Sequence, residues 1–138
     1  MVKESCEMSE ENIQLNNIDI GIYKVINEKV EECIQREVNG VDRSVNTLMI
    51  GIVDPPRSGL HASVVTALRT CKGLDRLLYV SCNAAGSLND NLLGLCLPQT
   101  KKRRAPSFHV HKVTQLDLFP HTNHYETVVL LNRYHYGI

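Results

Sequence analysis

The stretch Leu77-Leu78-Tyr79-Val80-Ser81-Cys82-Asn83-Ala84 decides how the rest of the chain is interpreted. Its first four residues form an apolar run that predicts a buried strand, and Ser81 begins a turn into a helix-like stretch. A cysteine at the carboxyl end of a parallel strand lies where open α/β sheets form their ligand crevice. Cys82 is therefore a candidate reactive thiol, or a small apolar side chain at a strand end, because free cysteines are often buried.

Apolar patterns on both sides of this stretch predict further strands and helices. Strands are predicted for residues 18–26, 47–53, 77–80, 108–116 and 126–131, and helices for residues 28–38, 61–70 and 85–95. The continuous apolar run at 47–53 is typical of a strand covered on both faces. The order β-α-β-α-β-α-β-β predicts an α/β sheet that ends in an antiparallel hairpin. Residues 1–17 are polar and predict a lead-in tail or a truncated helix, which leaves 18–138 as the folded part.

Composition limits the protein to one modest domain. The 138 residues are 43% hydrophobic and 22% charged, which is ordinary for a soluble chain. Fifteen basic and fifteen acidic residues cancel, so net charge does not indicate a polyanionic partner. No apolar run approaches the roughly 18 residues of a membrane span, and the polar start does not resemble a signal peptide. Five cysteines without CxxC spacing predict reduced thiols in an intracellular protein and no metal site. Cytosol, nucleus and mitochondrion are not distinguished.

A basic run, Lys101-Lys102-Arg103-Arg104, lies between two prolines. Such a run can bind phosphate groups of a nucleic acid or act as a localisation signal. A solvated surface loop is the simpler interpretation and the one that we favour.

Three segments together carry a family resemblance. They are Asp54-Pro55-Pro56-Arg57-Ser58-Gly59-Leu60-His61, Tyr79-Val80-Ser81-Cys82-Asn83 and the run from Asp117 to Glu126, DLFPHTNHYE. In this order they resemble the carboxyl-terminal half of the uracil-5 RNA methyltransferases, particularly the animal tRNA (uracil-5)-methyltransferase homologues. These enzymes use S-adenosyl-L-methionine to form 5-methyluridine. The resemblance implies part of a Rossmann-like methyltransferase sheet, RNA (tRNA above all) as partner, and no membrane or metal.

The resemblance also implies roles for individual residues. Cys82 corresponds to the nucleophile that adds to C6 of uracil, and Glu126 to the base that removes the C5 proton. Asp54 corresponds to the aspartate that contacts the cofactor. His124 is expected near the RNA, and Arg57 and His61 are expected either to contact RNA or to fix the turn of their loop, where Arg57 can also pair with a carboxylate. Each has a plainer alternative: Asp54 can cap the turn before the two prolines, and Glu126 can be an exposed charge at a strand start.

The chain departs from the family pattern in two ways. Ala84 stands where the family usually has proline, which would stiffen the turn after Cys82. The glycine-rich turn and first strand of the cofactor site are not visible, nor is the amino-terminal RNA-binding barrel. The chain therefore resembles half of a domain, expected to bind the cofactor weakly alone and to expose a strand edge and an apolar face.

Two other functions remain open from the sequence. A non-catalytic fragment would bind RNA or a partner through the basic loop and the exposed sheet edge. An amino-methyltransferase is the third alternative, because its motif also begins with Asp-Pro-Pro. Arg57 stands where that class needs an aromatic side chain to stack on the base, and the Cys82 thiol would have no role there.

Overall fold

The computed structural model describes residues 3–41, 48–101 and 105–133. Contacts divide the chain into two compact units, Met1–Cys33 and Ile34–Ile138, which are described separately. Helix α2 (Val30–Gly40) runs across the boundary between them.

The first unit contains helix α1 (Lys3–Leu15) and a 3₁₀ turn at Ile20–Ile22. The polar lead-in thus forms a helix, of which only Ile13 is buried. The strand predicted for residues 18–26 is wrong. The Asp19 carboxylate accepts a hydrogen bond from the Gly21 N–H at 2.8 Å, which favours a tight turn over extended backbone. The isoleucines of the turn are exposed, so their hydrophobicity does not reflect burial in a sheet.

The second unit is built on a mixed four-stranded sheet. Its elements are β1 (Met49–Val53), α3 (Ala62–Thr70), β2 (Leu74–Ser81), α4 (Ser87–Cys96), β3 (Phe108–Leu116) and β4 (Glu126–Arg133). The strands lie in the order β1-β2-β4-β3. The β1–β2 pair is parallel, and β4 pairs antiparallel with both β2 and β3. The predicted α/β class and its terminal antiparallel hairpin are confirmed.

The core of this unit lies on one face of the sheet. Alternate residues of β2 and β4 point to this face, including Tyr79 and Leu131, and they pack with α3 and α4. The core consists of Val38, Val64, Leu68, Cys71, Leu74, Leu77, Tyr79, Leu88, Leu95, Phe108, Val129 and Leu131. On the other face Ile50 and Ile52 are 54% and 70% exposed. The expectation that the first strand of the sheet is covered on both faces is therefore wrong for the described residues, whereas the expected apolar face is present.

Buried arginines fix the end of the sheet where β4 finishes. Arg133 is 8% exposed and lies over the Phe108 ring at 4.2 Å. Its five N–H groups donate to backbone carbonyls of Leu68, Arg69, Cys71, Leu74 and Pro106. Arg69 donates in the same way to carbonyls of Gly94, Leu95, Leu97 and Ala105. These guanidinium groups satisfy carbonyls at the carboxyl ends of α3 and α4 that have no partner within the helix.

Candidate active site

The residues singled out from the sequence meet at one end of the sheet. Asp54 directly follows β1, Cys82 directly follows β2, and Glu126 begins β4. Because β1 and β2 are parallel and β4 is antiparallel to β2, these three positions lie at the same end. We call this end, formed by residues 54–61, 81–83 and 117–126, the site end.

The strand register places the two proposed catalytic residues next to each other. Ser81 pairs with Thr127 in the antiparallel ladder of β2 and β4. Cys82 follows Ser81 at the end of β2, and Glu126 precedes Thr127 at the start of β4, so both residues flank the last pair of the ladder. Cys82 is half-buried and its thiol is free.

Two neighbouring residues at the start of β4 each have a buried polar atom without a hydrogen bond. Oε2 of Glu126 and Oγ1 of Thr127 have no partner among the described residues. Thr127 is only 3% exposed, and Glu126 is half-buried. A buried oxygen without a partner is unfavourable, so such atoms are expected where a ligand completes the site.

The turn after Cys82 closes through its own hydrogen bonds. The Asn83 N–H donates to Oγ of Ser81 at 3.1 Å, and the Gly86 N–H donates to the Asn83 carbonyl at 3.3 Å. A Cβ on Gly86 would lie 2.7 Å from Asn83 Nδ2, so this position requires glycine. The turn therefore forms with Ala84 in place of proline.

The loop after β1 is held against this turn. The Arg57 carbonyl accepts from Asn83 Nδ2 at 3.0 Å and from Ser87 Oγ at 2.8 Å. Gly59 closes the loop with a bond to Pro56 and has φ +81°, and a Cβ there would lie 2.7 Å from Cβ of Ser87. The sequence analysis did not identify Ser87 or Gly59 as site residues. The sequence features that could have identified them are the turn composition Pro-Arg-Ser-Gly, which contains Gly59, and the position of Ser87 at the start of a helix.

The three residues expected near RNA have different surroundings. His61 caps α3: its Nδ1 accepts from the Ser63 N–H at 3.3 Å and lies 2.8 Å from Ser63 Oγ. This contact gives His61 a structural role where the loop after β1 joins α3. Arg57 has an exposed side chain. His124 is exposed and stacks edge-on against Phe119, with ring centroids 6.5 Å apart.

Other predicted features are neutral or fall outside the described residues. In the basic run, Lys101 is exposed and residues 102–104 lie outside the described residues. All five cysteines are described and none forms a disulfide. Within the described ranges there is no group of three or more metal-binding side chains, and no helix has the length and apolarity to cross a membrane.

Comparison with known proteins identifies relatives of this chain. The family model described as tRNA (uracil-5-)-methyltransferase matches residues 1–134. Mouse tRNA (uracil-5-)-methyltransferase homolog A is 38% identical over 67% of this chain, and the tRNA/tmRNA (uracil-C(5))-methyltransferase of Shewanella is 34% identical over 96%. The crystal structure of Pyrococcus abyssi tRNA (uracil-54, C5)-methyltransferase in complex with S-adenosyl-L-homocysteine is similar over 91% of the chain, with a TM-score of 0.58 and 30% identity.

These relatives are much longer than the described chain. The match spans 15% of the mouse protein, 34% of the Shewanella protein and 25% of the Pyrococcus abyssi chain. The similarity in fold therefore extends to one part of a larger molecule.

Proposed function

The chain belongs to the tRNA (uracil-5-)-methyltransferase family, and we propose that it carries the catalytic end of an enzyme that methylates C5 of uridine in RNA, with tRNA as the expected substrate. The observation that supports the proposal is the topology of β1, β2 and β4, which puts Asp54, Cys82 and Glu126 at the same end of the sheet, with Cys82 and Glu126 flanking the Ser81–Thr127 pair. The order DPPRSGL, VSCN and DLFPHTNHYE supports the same assignment.

The chemistry explains why a thiol and a carboxylate are needed together. C5 of uracil is a weak nucleophile in the neutral ring. Addition of the Cys82 thiolate to C6 turns the ring into an enolate whose C5 can take a methyl group. Glu126 then removes the C5 proton, the C5–C6 double bond forms again, and the thiolate leaves. The target uridine must leave its stack to reach the half-buried Cys82.

Glu126 has the environment that this role requires. Its Oε2 is shielded from water and has no hydrogen-bond partner among the described residues. A carboxylate oxygen already held by an arginine or by backbone N–H groups would be a weaker proton acceptor. The unpartnered oxygen therefore supports Glu126 as the base.

S-adenosyl-L-methionine is the proposed cofactor, and when bound it supplies an electrophilic methyl group. The described residues fit one side of a binding site for this cofactor. Asp54 lies exposed at the carboxyl end of β1, and the outer edge of β1 has no strand partner among the described residues. The glycine-rich turn that holds such a cofactor in open α/β sheets is not found in the described residues. The 138-residue chain alone should therefore bind S-adenosyl-L-methionine weakly. Calorimetry that detected micromolar binding would contradict this.

Trapping on RNA that contains 5-fluorouridine tests the proposal. With S-adenosyl-L-methionine in large excess, C5 carries both fluorine and a methyl group after thiolate addition at C6, and it has no proton for a base to remove. The thiolate then cannot leave, so the adduct persists. We expect a covalent protein–RNA species on a denaturing gel, its loss in Cys82→Ala, and its retention in Cys96→Ala, a second half-buried thiol. Absence of an adduct in the unaltered chain, or its survival in Cys82→Ala, would contradict the proposal.

A second candidate function is partner or RNA binding without catalysis. Two features of β1 favour it: β1 is the edge strand among the described residues, and its side chains Ile50 and Ile52 are exposed. An edge strand with exposed apolar side chains can pair with a strand of another chain. The trapping experiment separates the two: RNA binding of equal strength in the unaltered chain and in Cys82→Ala, with no adduct in either, supports this second function.

A further inference from the structure

One buried asparagine joins the loop after β1 to the strand that ends at Cys82. Asn91 lies on α4 and is 8% exposed. Its Oδ1 accepts from the Leu60 N–H at 2.7 Å and from the Tyr79 hydroxyl at 2.6 Å. Its Nδ2 donates to the Leu60 carbonyl at 3.2 Å. One amide therefore binds both backbone groups of one loop residue and a side chain of β2.

The chemistry of these partners fixes the orientation of the amide. The Leu60 N–H can only donate and the Leu60 carbonyl can only accept, so oxygen and nitrogen of Asn91 cannot exchange places. Burial raises the pKa of Tyr79 to about 12. Its hydroxyl therefore stays protonated near neutral pH and remains a donor to Oδ1. The three hydrogen bonds of Asn91 therefore form together in only one orientation of its amide.

Asn91 is the last of three polar side chains at four-residue spacing. Asn83 and Ser87 bind the Arg57 carbonyl, and Asn91 binds Leu60. Ser87 and Asn91 lie on one side of α4, because a spacing of four residues is about one helical turn, and Asn83 lies in the turn before the helix. The loop that begins at Asp54 is thus fastened at its middle and at its end to the segment that begins at Cys82.

We propose that Asn91 is a positioning residue for the uracil-5 methyltransferase reaction. Acting through Leu60 and Tyr79, it keeps the loop that carries Asp54 and Arg57 in register with the Cys82 turn. This inference rests on the proposed function, because it assigns the loop and the thiol to a single reaction. A displacement of reacting groups by about 1 Å is enough to slow a reaction about a hundredfold, so fastening of this loop matters to chemistry as well as to folding.

Hydrogen exchange of the full chain tests the fastening without any reaction. Asn91→Leu keeps a side chain of similar size and removes all three hydrogen bonds, whereas Tyr79→Phe removes one donor and leaves both bonds to Leu60. We expect the protection of the Leu60 amide to fall about tenfold or more in Asn91→Leu, with smaller changes in Tyr79→Phe and in the amides of β2 and β4. Unchanged protection at Leu60, or an equal fall across the whole sheet, would overturn the inference.

The rate of adduct formation on 5-fluorouridine RNA tests the role in the reaction. We expect Asn91→Leu to slow the adduct at least tenfold while alkylation of Cys82 by iodoacetamide keeps its rate, since the thiol itself is not altered. An adduct at the unaltered rate, despite a released loop, would show that Asn91 is structural only. If the unaltered chain forms no adduct, the proposed function fails and takes the role in the reaction with it, while the exchange result still decides whether Asn91 fastens the loop.

Discussion

Each end of strand β4 carries a charged side chain, and the two side chains differ in their hydrogen bonding. Arg133, at the carboxyl end, is buried and uses all five N–H donors on backbone carbonyls. Glu126, at the amino end, has a buried carboxylate oxygen with no hydrogen-bond partner among the described residues. A fully satisfied charge and an unsatisfied one thus stand at the two ends of a single strand of eight residues.

The difference separates a charged group that stabilises the fold from one that is available to a ligand. The Arg133 guanidinium, surrounded by carbonyls, holds the end of α3 to the sheet and is not accessible to a ligand. Burial lowers the pKa of Arg133, while the nearby Cys71 and Asp75 act to raise it. At the site end the Glu126 carboxylate keeps an oxygen that no described group binds, at an energetic cost to the fold. The following predictions test this contrast.

The largest effect is expected from Arg133→Met, which keeps the length of the side chain and removes every donor. Several buried carbonyls lose their partner, so the free energy of unfolding should fall by about 3–4 kcal/mol. Urea denaturation measures it. Arg76→Met, which alters an exposed arginine on β2, is the matched control and should stay within about 0.5 kcal/mol. Equal losses in the two variants would remove the distinction between the ends of β4.

An intermediate effect is expected from Gly59→Ala in the loop at the site end. Alanine there adopts φ +81° with strain, and its Cβ would lie 2.7 Å from atoms of Ser87 and Asn91. We expect a loss of about 2–3 kcal/mol. Gly73→Ala is the control: its φ is +89° but nothing lies within 4 Å of a Cβ, so it should lose only about 1 kcal/mol. If both variants lost the same amount, close packing of the loop would not contribute.

The smallest effect on stability is expected from Glu126→Gln. Replacing a partly buried carboxylate without a partner by a neutral amide should leave the free energy of unfolding unchanged or raise it by up to about 1 kcal/mol. The adduct on 5-fluorouridine RNA should still form within about threefold of the unaltered rate, because proton removal follows thiolate addition. A loss of stability comparable to that of Arg133→Met would show that Glu126 is a structural charge.

Much of the second unit was predictable because its signals are local. Continuous apolar runs that end at Asp54 and Ser81 predicted β1 and β2, and the proline pair after Asp54 predicted where β1 ends. The strand prediction for residues 18–26 was wrong for a physical reason. Isoleucines in an apolar pattern favour a strand, but the Asp19–Gly21 contact favours a 3₁₀ turn, and no described strand pairs with the segment.

The network that fastens the site could not be predicted in the same way. Asn91 looks like any polar helix residue in the sequence, and its partners Leu60 and Tyr79 lie 31 and 12 positions away. Arg133 binds carbonyls up to 65 positions away. Hydrogen bonds to distant backbone leave no periodic pattern, because any residue supplies the same carbonyl.

The sequence by itself determined the class of fold and the residue types at the site end. Apolar periodicity and turn residues act within a few positions, and they place Asp54, Cys82 and Glu126 each at a strand end. Only the tertiary structure decided that Cys82 and Glu126 flank the same pair of the β2–β4 ladder, and that Asn91 binds the loop residue Leu60. Those facts depend on which strands pair and in which register, and pairing is set by contacts between segments far apart in the chain.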